Sequence, residues 1–492
     1  MRFNKSRIIS FFVFFIGYAL LFLPFVFSVY YTMPANDDYA WALKWWSDNR
    51  FIETFERVRW NYMNCYGNSG LLAIVIQVLI NPLYLFDNAG HSMGIYMIVA
   101  DVIIFSGIIL SFRKIYQNLF EIEAGLQLNL ITFFTTAILA TTYYYNDVYN
   151  WWSGMPGYSF GMLLGLATIA KLTKYFNTKK TKDYVAMIIL GVLACTNMMF
   201  DVFVGATYVL LVFVFNKAKG DKLIKKVMPL VAFIISGVIQ VIAPGNYGRM
   251  DRFDLERQGI GTSIYITFFR VVQRFLLTLK GKPWTLLFFL IILSLGLYYG
   301  TKKNIRLVNI ILGAFVTIFS AFGGVILYVF GQDKGIDTEF ATRINFFSDY
   351  ITFIGMAIVT FAIGCWIKQK FNVMLKKSVL LVAVTGITLG LGALTLLTGK
   401  YNEIIQINII QRADVIRESY YFWNEIIDEV IAAEDGADVV IKRENVDWCP
   451  YSYYTSFDDS VLPALTEEEK YGTCNQCASL YYDVNSIVVI LD

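Results

Sequence analysis

The chain has 492 residues, 57% hydrophobic and 16% charged, with a formal net charge of +3. Apolar runs of span length recur through its first four-fifths, which excludes a soluble globule and reads as a set of transmembrane helices. A single histidine, His91, argues against Ser-His-Asp hydrolysis, histidine-rich zinc sites and histidine bases. Acid–base work falls to carboxylates, lysines or tyrosines, and no nucleic-acid partner is expected.

Arg2, Lys5 and Arg7 precede an apolar run from about Ile8 to Tyr30. The run is too long for a signal-peptide core and lacks a cleavage site, so it reads as a signal anchor. Positive charge on its N-terminal side places that end in the cytoplasm and the next turn outside. That turn, Asn36-Asp37-Asp38-Tyr39, carries two acids where the chain leaves the bilayer. A helix N-cap accounts for one of them. The other is well placed to take a proton from an incoming hydroxyl, a role that contributes roughly 10²–10⁴ in rate. Trp41, Trp45 and Trp46 follow at a depth that suits an interfacial belt.

Residues 70–86 are apolar but short, and counting them as a span would turn Arg113 and Lys114 outward. They read as a re-entrant or interface-lying pair of short helices. Spans are expected near 91–112, 127–145, 156–172, 183–199, 200–216, 227–243, 284–300, 306–330, 346–367 and 378–398. The lysine-rich connections 171–182, 217–226, 302–306 and 368–377 then all fall on the cytoplasmic side. Asp101, inside an apolar stretch, reads as a neutral or hydrogen-bonded packing residue.

The stretch Tyr143 to Tyr158 reads YYYNDVYNWWSGMPGY. Asp147 and Asn150 are candidate partners for sugar hydroxyls. Trp151 and Trp152 are either membrane anchors or faces for sugar stacking. Gly154, Pro156 and Gly157 suggest a shaped turn. Asn197 and Asp201 lie one helical turn apart and are expected to face one cavity, because acids at membrane depth are costly. Ala243 to Arg249, APGNYGR, ends another span, with Asn246 in its turn. Arg249 is the leading candidate for a phosphate contact and Arg343, in the external loop 331–349, is the second, because arginine makes bidentate, permanently charged contacts. Residues 263–282, with Arg270, Arg274 and Lys280 among apolar neighbours, read as an amphipathic helix on the outer surface. Headgroup contact is reason enough for Arg270 and Arg274.

The expected fold is an all-α polytopic membrane protein of about eleven spans plus re-entrant and interfacial helices. A transmembrane domain covers residues 1–398, with a first external loop at 31–69. A small extracytoplasmic α/β domain covers 399–492. Cys449, Cys474 and Cys477 are expected to supply one disulfide there, zinc being the weaker alternative for the CxxC at 474–477. Cys65, Cys195 and Cys365 read as inert.

The set of NDDY, the WW-x-G-x-x-x-Y loop from Trp151 to Tyr158, APGNYGR and the Ala341-Thr342-Arg343 turn resembles the GT-C superfamily of integral-membrane glycosyltransferases. More narrowly it looks like poorly characterised bacterial relatives of the GtrII-like O-antigen and cell-surface polysaccharide glucosyltransferases. Residues 475–490, NQCASLYYDVNSIVVI, also look like the end of that group's external domain. One departure is Tyr66-Gly67-Asn68-Ser69-Gly70, where the group leads one to expect an arginine. The resemblance implies a bacterial plasma-membrane enzyme with a polyprenyl-phosphate-sugar donor, a glycopolymer or lipid-linked glycan as acceptor, and inverting transfer on the outer face. Asp37 or Asp38 would match the first-loop catalytic acid. Arg249, Arg343 and Asn246 would hold the donor phosphate. Asp147, Asn150, Trp151, Trp152, Tyr158 and Asp201 would meet sugar or acceptor. The resemblance fixes no cofactor, and Asp37, Asp38, Asp147 and Asp201 could converge on a divalent cation. The rival readings are a lipid-linked oligosaccharide flippase, which needs polar residues near the midplane, and a polysaccharide polymerase or ligase.

Overall fold

The computed structural model describes residues 5–35, 37–64, 70–86, 89–252, 258–331, 339–372, 377–444, 446–447, 449–452 and 474–491. The chain is mostly helical, and its described residues contain one two-stranded sheet. A long helix, α1 (Lys5–Tyr30), leads into two short ones, α2 (Asp37–Ala42) and α3 (Arg50–Asn64). Residues 70–86 then form α4 (Leu71–Leu79) and α5 (Pro82–Leu85), a pair of short helices rather than a span. The break between them is built locally: Asn81 caps α5 by accepting from the Leu83 amide at 2.9 Å, and Pro82 occupies its first turn.

The bundle continues with α6 (Ala89–Phe120), α7 (Leu126–Thr142), the single turn α8 (Asn146–Tyr149), α9 (Met155–Thr178) and α10 (Thr181–Ala194). Next come α11 (Met198–Val209), which runs into a π-helical turn at Leu210–Val214, α12 (Leu223–Val241) and α13 (Pro244–Arg252). Four more helices complete it after the amphipathic α14 (Ile260–Gly281): α15 (Pro283–Tyr299), α16 (Leu307–Phe330), α17 (Thr342–Phe371) and α18 (Lys377–Leu397). Every span expected from the sequence overlaps a helix of this series, although the expected span 183–199 runs past the end of α10 at Ala194. Five helices are long and apolar enough to cross a membrane alone, or six if α14 and α15 are taken as one bent span. That makes the chain a helical membrane protein.

The α14–α15 pair bends by 95°. Ile264, Tyr265, Phe268, Phe269 and Leu276 of α14 are exposed, while Ser263, Ile266 and Val271 are buried. Its apolar outer face suits a lipid surface better than water. Tight packing elsewhere depends on small residues. On α15 and α17, Gly296 and Gly364 approach so closely that a Cβ on Gly296 would meet the Phe361 carbonyl at 2.5 Å. Such contacts replace the hydrophobic driving force that lipid does not supply.

The bundle has two distinct ends. At one, the lysine-bearing connections meet: Lys303 pairs with Glu121 at 3.1 Å, Lys179 with Asp221 at 3.0 Å, and Gln369 donates to the Lys303 carbonyl at 2.6 Å. At the other lie α2 to α5, α8, α13 and the start of α17, joined by the contacts described below.

After α18 come α19 (Ile405–Gln411) and α20 (Ala413–Ile431). The strand β1 (Asp438–Arg443) pairs in parallel with β2 (Ser486–Leu491), and α21 (Cys474–Tyr481) precedes β2. This C-terminal unit is α/β in character, yet its core is shared. Trp423, Ile427, Ile441 and Ile487 pack in one cluster with Met33 and Tyr39 of the first loop and Leu83 of α5. The Tyr39 ring meets those of Tyr481 and Tyr482 at 5.7 Å each. Gln406 donates to the carbonyls of Leu21 and Ala140 at 3.0 Å, fastening α19 to α1 and α7.

The expected disulfide does not form between the described cysteines of this unit. Cys449 and Cys477 are both free thiols, buried in different clusters. Burial pushes the Cys477 thiol up to about 12, which opposes the thiolate needed for exchange. The Cys474 side chain lies outside the described residues.

Candidate functional site

The two first-loop acids occupy different environments. Asp38 is fully buried: its Oδ1 accepts from the Ser153 amide at 2.9 Å and the Ser153 hydroxyl at 2.5 Å, and its Oδ2 accepts from the Ala35 amide at 3.0 Å. Its backbone carbonyl accepts from the Asn81 side chain at 3.0 Å. Asp38 therefore fastens the start of α2 to the α8–α9 connection and to α5. Burial pushes its carboxyl up to about 7, against the lowering by Ser153 and the Ala35 amide, and neighbouring Asp37 adds a small upward push. Asp37, one residue earlier, is exposed.

The loop that receives Asp38 also carries the tryptophan pair. Trp151 donates its indole N–H to the Ala35 carbonyl at 3.2 Å, so two residues of this loop grip the same turn. Gly154 is required there, since a Cβ would stand 1.9 Å from the Asp147 carbonyl. On the far side of Trp151, Arg343 at the start of α17 places its guanidinium 5.6 Å from the indole ring and pairs with Asp147 at 2.8 Å. Asp38, Trp151, Asp147 and Arg343 thus form one contiguous set although 305 positions separate the first from the last (343 − 38).

Other expected ligand contacts are enclosed. Asn150 is fully buried, with its oxygen accepting from Tyr144 at 2.6 Å and its nitrogen donating to Thr32 at 2.9 Å. Trp152 and Tyr158 are buried as well, Trp152 edge-on to Tyr96 at 5.1 Å. These three are packing residues in this arrangement and offer no face to a sugar. Asn246 spends its amide nitrogen on the Gln240 and Val241 carbonyls at 2.9 and 3.2 Å, closing the C-terminus of α12 rather than a phosphate. It sits at the head of α13, which packs on α3 beside the first loop. The Arg249 side chain, Asn36 and residues 65–69 lie outside the described residues.

Asn197 and Asp201 do not share a cavity. Asn197 caps α11 through the Met199 amide and donates to the Gly157 carbonyl at 2.7 Å. Asp201 instead lies against Gly237 of α12. With Asp147 held by Arg343, Asp38 by Ser153 and Asp201 against Gly237, three of the four expected cation ligands point to different partners. No three His, Cys, Asp or Glu side chains gather around one point among the described residues.

Two clusters lay beyond the sequence expectations. In the first loop, buried Glu53 accepts from the Trp46 and Ser47 amides at 2.8 and 3.1 Å and pairs with Arg57 at 2.8 Å. Arg57 lies 5.3–5.7 Å from the rings of Trp41, Trp45 and Trp46, so these indoles surround a cation instead of forming only a belt. Arg50 donates to the carbonyls of Trp41 and Val78, both at 2.7 Å. The Glu53/Arg57 spacing of four was the available signal.

The second cluster joins α14 to α17. Arg274 pairs with Asp349 at 2.8 Å and stacks on Tyr143 at 4.2 Å, and Tyr145 donates to Asp349 at 2.7 Å. A cavity of about 240 Å³ opens beside it, lined by Arg270, Arg274, Gln273, Tyr143, Asn345 and Ser348 among others. Arg274 is therefore part of a polar cavity wall, not merely a headgroup contact. Asn345 and Ser348 stand two and five positions beyond Arg343, which makes this cavity the neighbour of the Arg343 set.

No protein-family model matches the chain, and comparison with curated proteins and with solved structures finds no match.

Proposed function

We propose that the protein is a membrane glycosyltransferase that moves a monosaccharide from a polyprenyl-phosphate carrier to a glycopolymer or lipid-linked glycan at the outer membrane face. The observation that carries this reading is the contiguous set at one end of the bundle. An exposed carboxylate, Asp37, adjoins a turn that Asp38 and Trp151 lock onto the loop held by Arg343. Beside it lies a cavity lined by Arg270 and Arg274. The outer-face assignment rests on the lysine-rich connections gathered at the opposite end.

In this mechanism Asp37 accepts the proton of the acceptor hydroxyl. The hydroxyl oxygen attacks the anomeric carbon as the carbon–oxygen bond to phosphate breaks, passing through an oxocarbenium-like transition state with inversion. The bonding pair leaves with the lipid phosphate, whose growing charge Arg343 and the arginines of the adjacent cavity stabilise. Asp38 is a positioning residue, because all of its acceptor contacts are internal.

The test is sugar transfer in membranes supplied with polyprenyl-phosphate sugars. Asp37→Asn should lower turnover by roughly 10²–10⁴ with expression and donor saturation retained. Undiminished transfer in Asp37→Asn would remove the base assignment. Flipping of a lipid-linked sugar by reconstituted protein, with no transfer, would replace the enzyme by a transporter.

A further inference from the structure

At the lysine-bearing end, the bundle contains a second cavity of about 190 Å³, bounded by α6, α9, α11, α16 and α17. Its walls are mainly apolar, with Leu119, Ile169, Phe203 and Ile358 representative. Along α16 it extends from Asn309 to Ser320, eleven residues and therefore about 16 Å. That length runs from the polar edge of the bundle into the hydrocarbon layer, whose full thickness is about 30 Å. The π-helical turn at Leu210–Val214 adds a residue to the ladder of α11, and Leu210, Leu211 and Phe215 of that region line the cavity.

The mouth is cationic. Lys217 and Lys303 line it together with Asn304 and Asn309. Lys303 is partly answered by Glu121 at 3.1 Å. Lys217 is half-buried, and among the described residues no hydrogen bond or ion pair to its ammonium is found. Burial, then the neighbouring Lys303, push its pKa below the ordinary lysine value, while Glu121 opposes the shift. A half-buried ammonium at the lip of an apolar slot calls for an anion whose remaining parts are apolar.

We propose that this cavity holds one anionic phospholipid of the lysine-side leaflet, its acyl chain along α16 and its phosphate at Lys217. A free anion would leave the slot's apolar walls unfilled, and a neutral lipid would leave the lysine unanswered. The site is independent of sugar transfer, since it lies at the opposite end from Asp37 and Arg343.

The experiment reconstitutes the full-length protein in phosphatidylcholine vesicles containing a small share of spin-labelled phosphatidylglycerol. A parallel preparation carries spin-labelled phosphatidylcholine. Electron paramagnetic resonance should show an immobilised component that favours phosphatidylglycerol. Lys217→Gln should lower that preference about fivefold, the typical contribution of one lysine at an anionic membrane surface, and Lys217→Arg should retain it. Gly313→Leu should displace both lipids from the slot, because a Cβ at Gly313 makes only an ordinary 3.7 Å contact and the longer side chain enters the cavity. Equal immobilisation of the two lipids would overturn the proposal. So would an undiminished preference in Lys217→Gln.

Discussion

Neighbouring carboxylates with opposite fates show how burial divides labour between identical side chains. Asp38 is surrounded, hydrogen-bonded three times and raised to about 7, so it binds a proton more tightly in the folded than in the unfolded protein. The stability linked to this group is therefore fully present below the ordinary carboxylate value of 3.8. It is lost progressively as pH rises from there through about 7. Thermal unfolding of the wild type should accordingly show a falling midpoint over that window. Asp38→Asn should flatten the dependence. It should also cost about 1–3 kcal/mol, because an amide keeps the acceptor for Ser153 but turns a donor toward the Ala35 amide. The NDDY motif made the pair visible, but not which acid is enclosed. That depends on Ser153, 115 positions away.

At the scale of elements, the first loop is held by a charge pair whose spacing of four was legible in the sequence but whose burial was not. Glu53 and Arg57 are 0% and 3% exposed at their side chains, and Arg57 also bonds to the Ala40 and Leu43 carbonyls. Removing one partner leaves the other buried and uncompensated, which costs about 3–5 kcal/mol. Glu53→Gln should therefore lower the unfolding midpoint far more than Glu56→Gln, whose partner Arg59 is 65% exposed. The helices of the bundle were legible for a different reason. Lipid demands continuous apolar runs, and backbone hydrogen bonding then leaves a helix as the only form a single run can take. The same logic exposed the short pair at 70–86 and the arginines spaced along α14. It carried no information on Asp349, whose partners Arg274 and Tyr145 lie 75 and 204 positions away. A single substitution tests that join: Asp349→Asn should loosen α14 from α17 and raise proteolytic cleavage around residue 274.

Over the whole molecule, the sequence suggests two domains where the structure has a shared core. Residues 399–492 change composition, which reads as a boundary, but Tyr39 and Met33 sit inside the C-terminal cluster. Deleting the chain after residue 412 should therefore remove activity even though no proposed site residue is lost. Tyr39→Ala should imitate it in part, with a core cost of about 3–5 kcal/mol.

Sidedness is the property on which the functional reading most depends. The lysine-bearing connections and the Asp37–Arg343 end lie at opposite ends of the same helices, so one orientation fixes both. Cysteines introduced at Lys302, in the α15–α16 connection, and at Glu434, just after α20, are both exposed and outside the membrane helices. The four described thiols, Cys195, Cys365, Cys449 and Cys477, are buried, and Cys65 and Cys474 are replaced by serine in the labelling background. A membrane-impermeant maleimide should label Glu434→Cys in intact cells and reach Lys302→Cys only after permeabilisation. The reverse pattern would put Asp37 in the cytoplasm, where the proposed carrier chemistry has no outer-face acceptor. Labelling of both from outside would mean that an odd number of crossings between them has been miscounted.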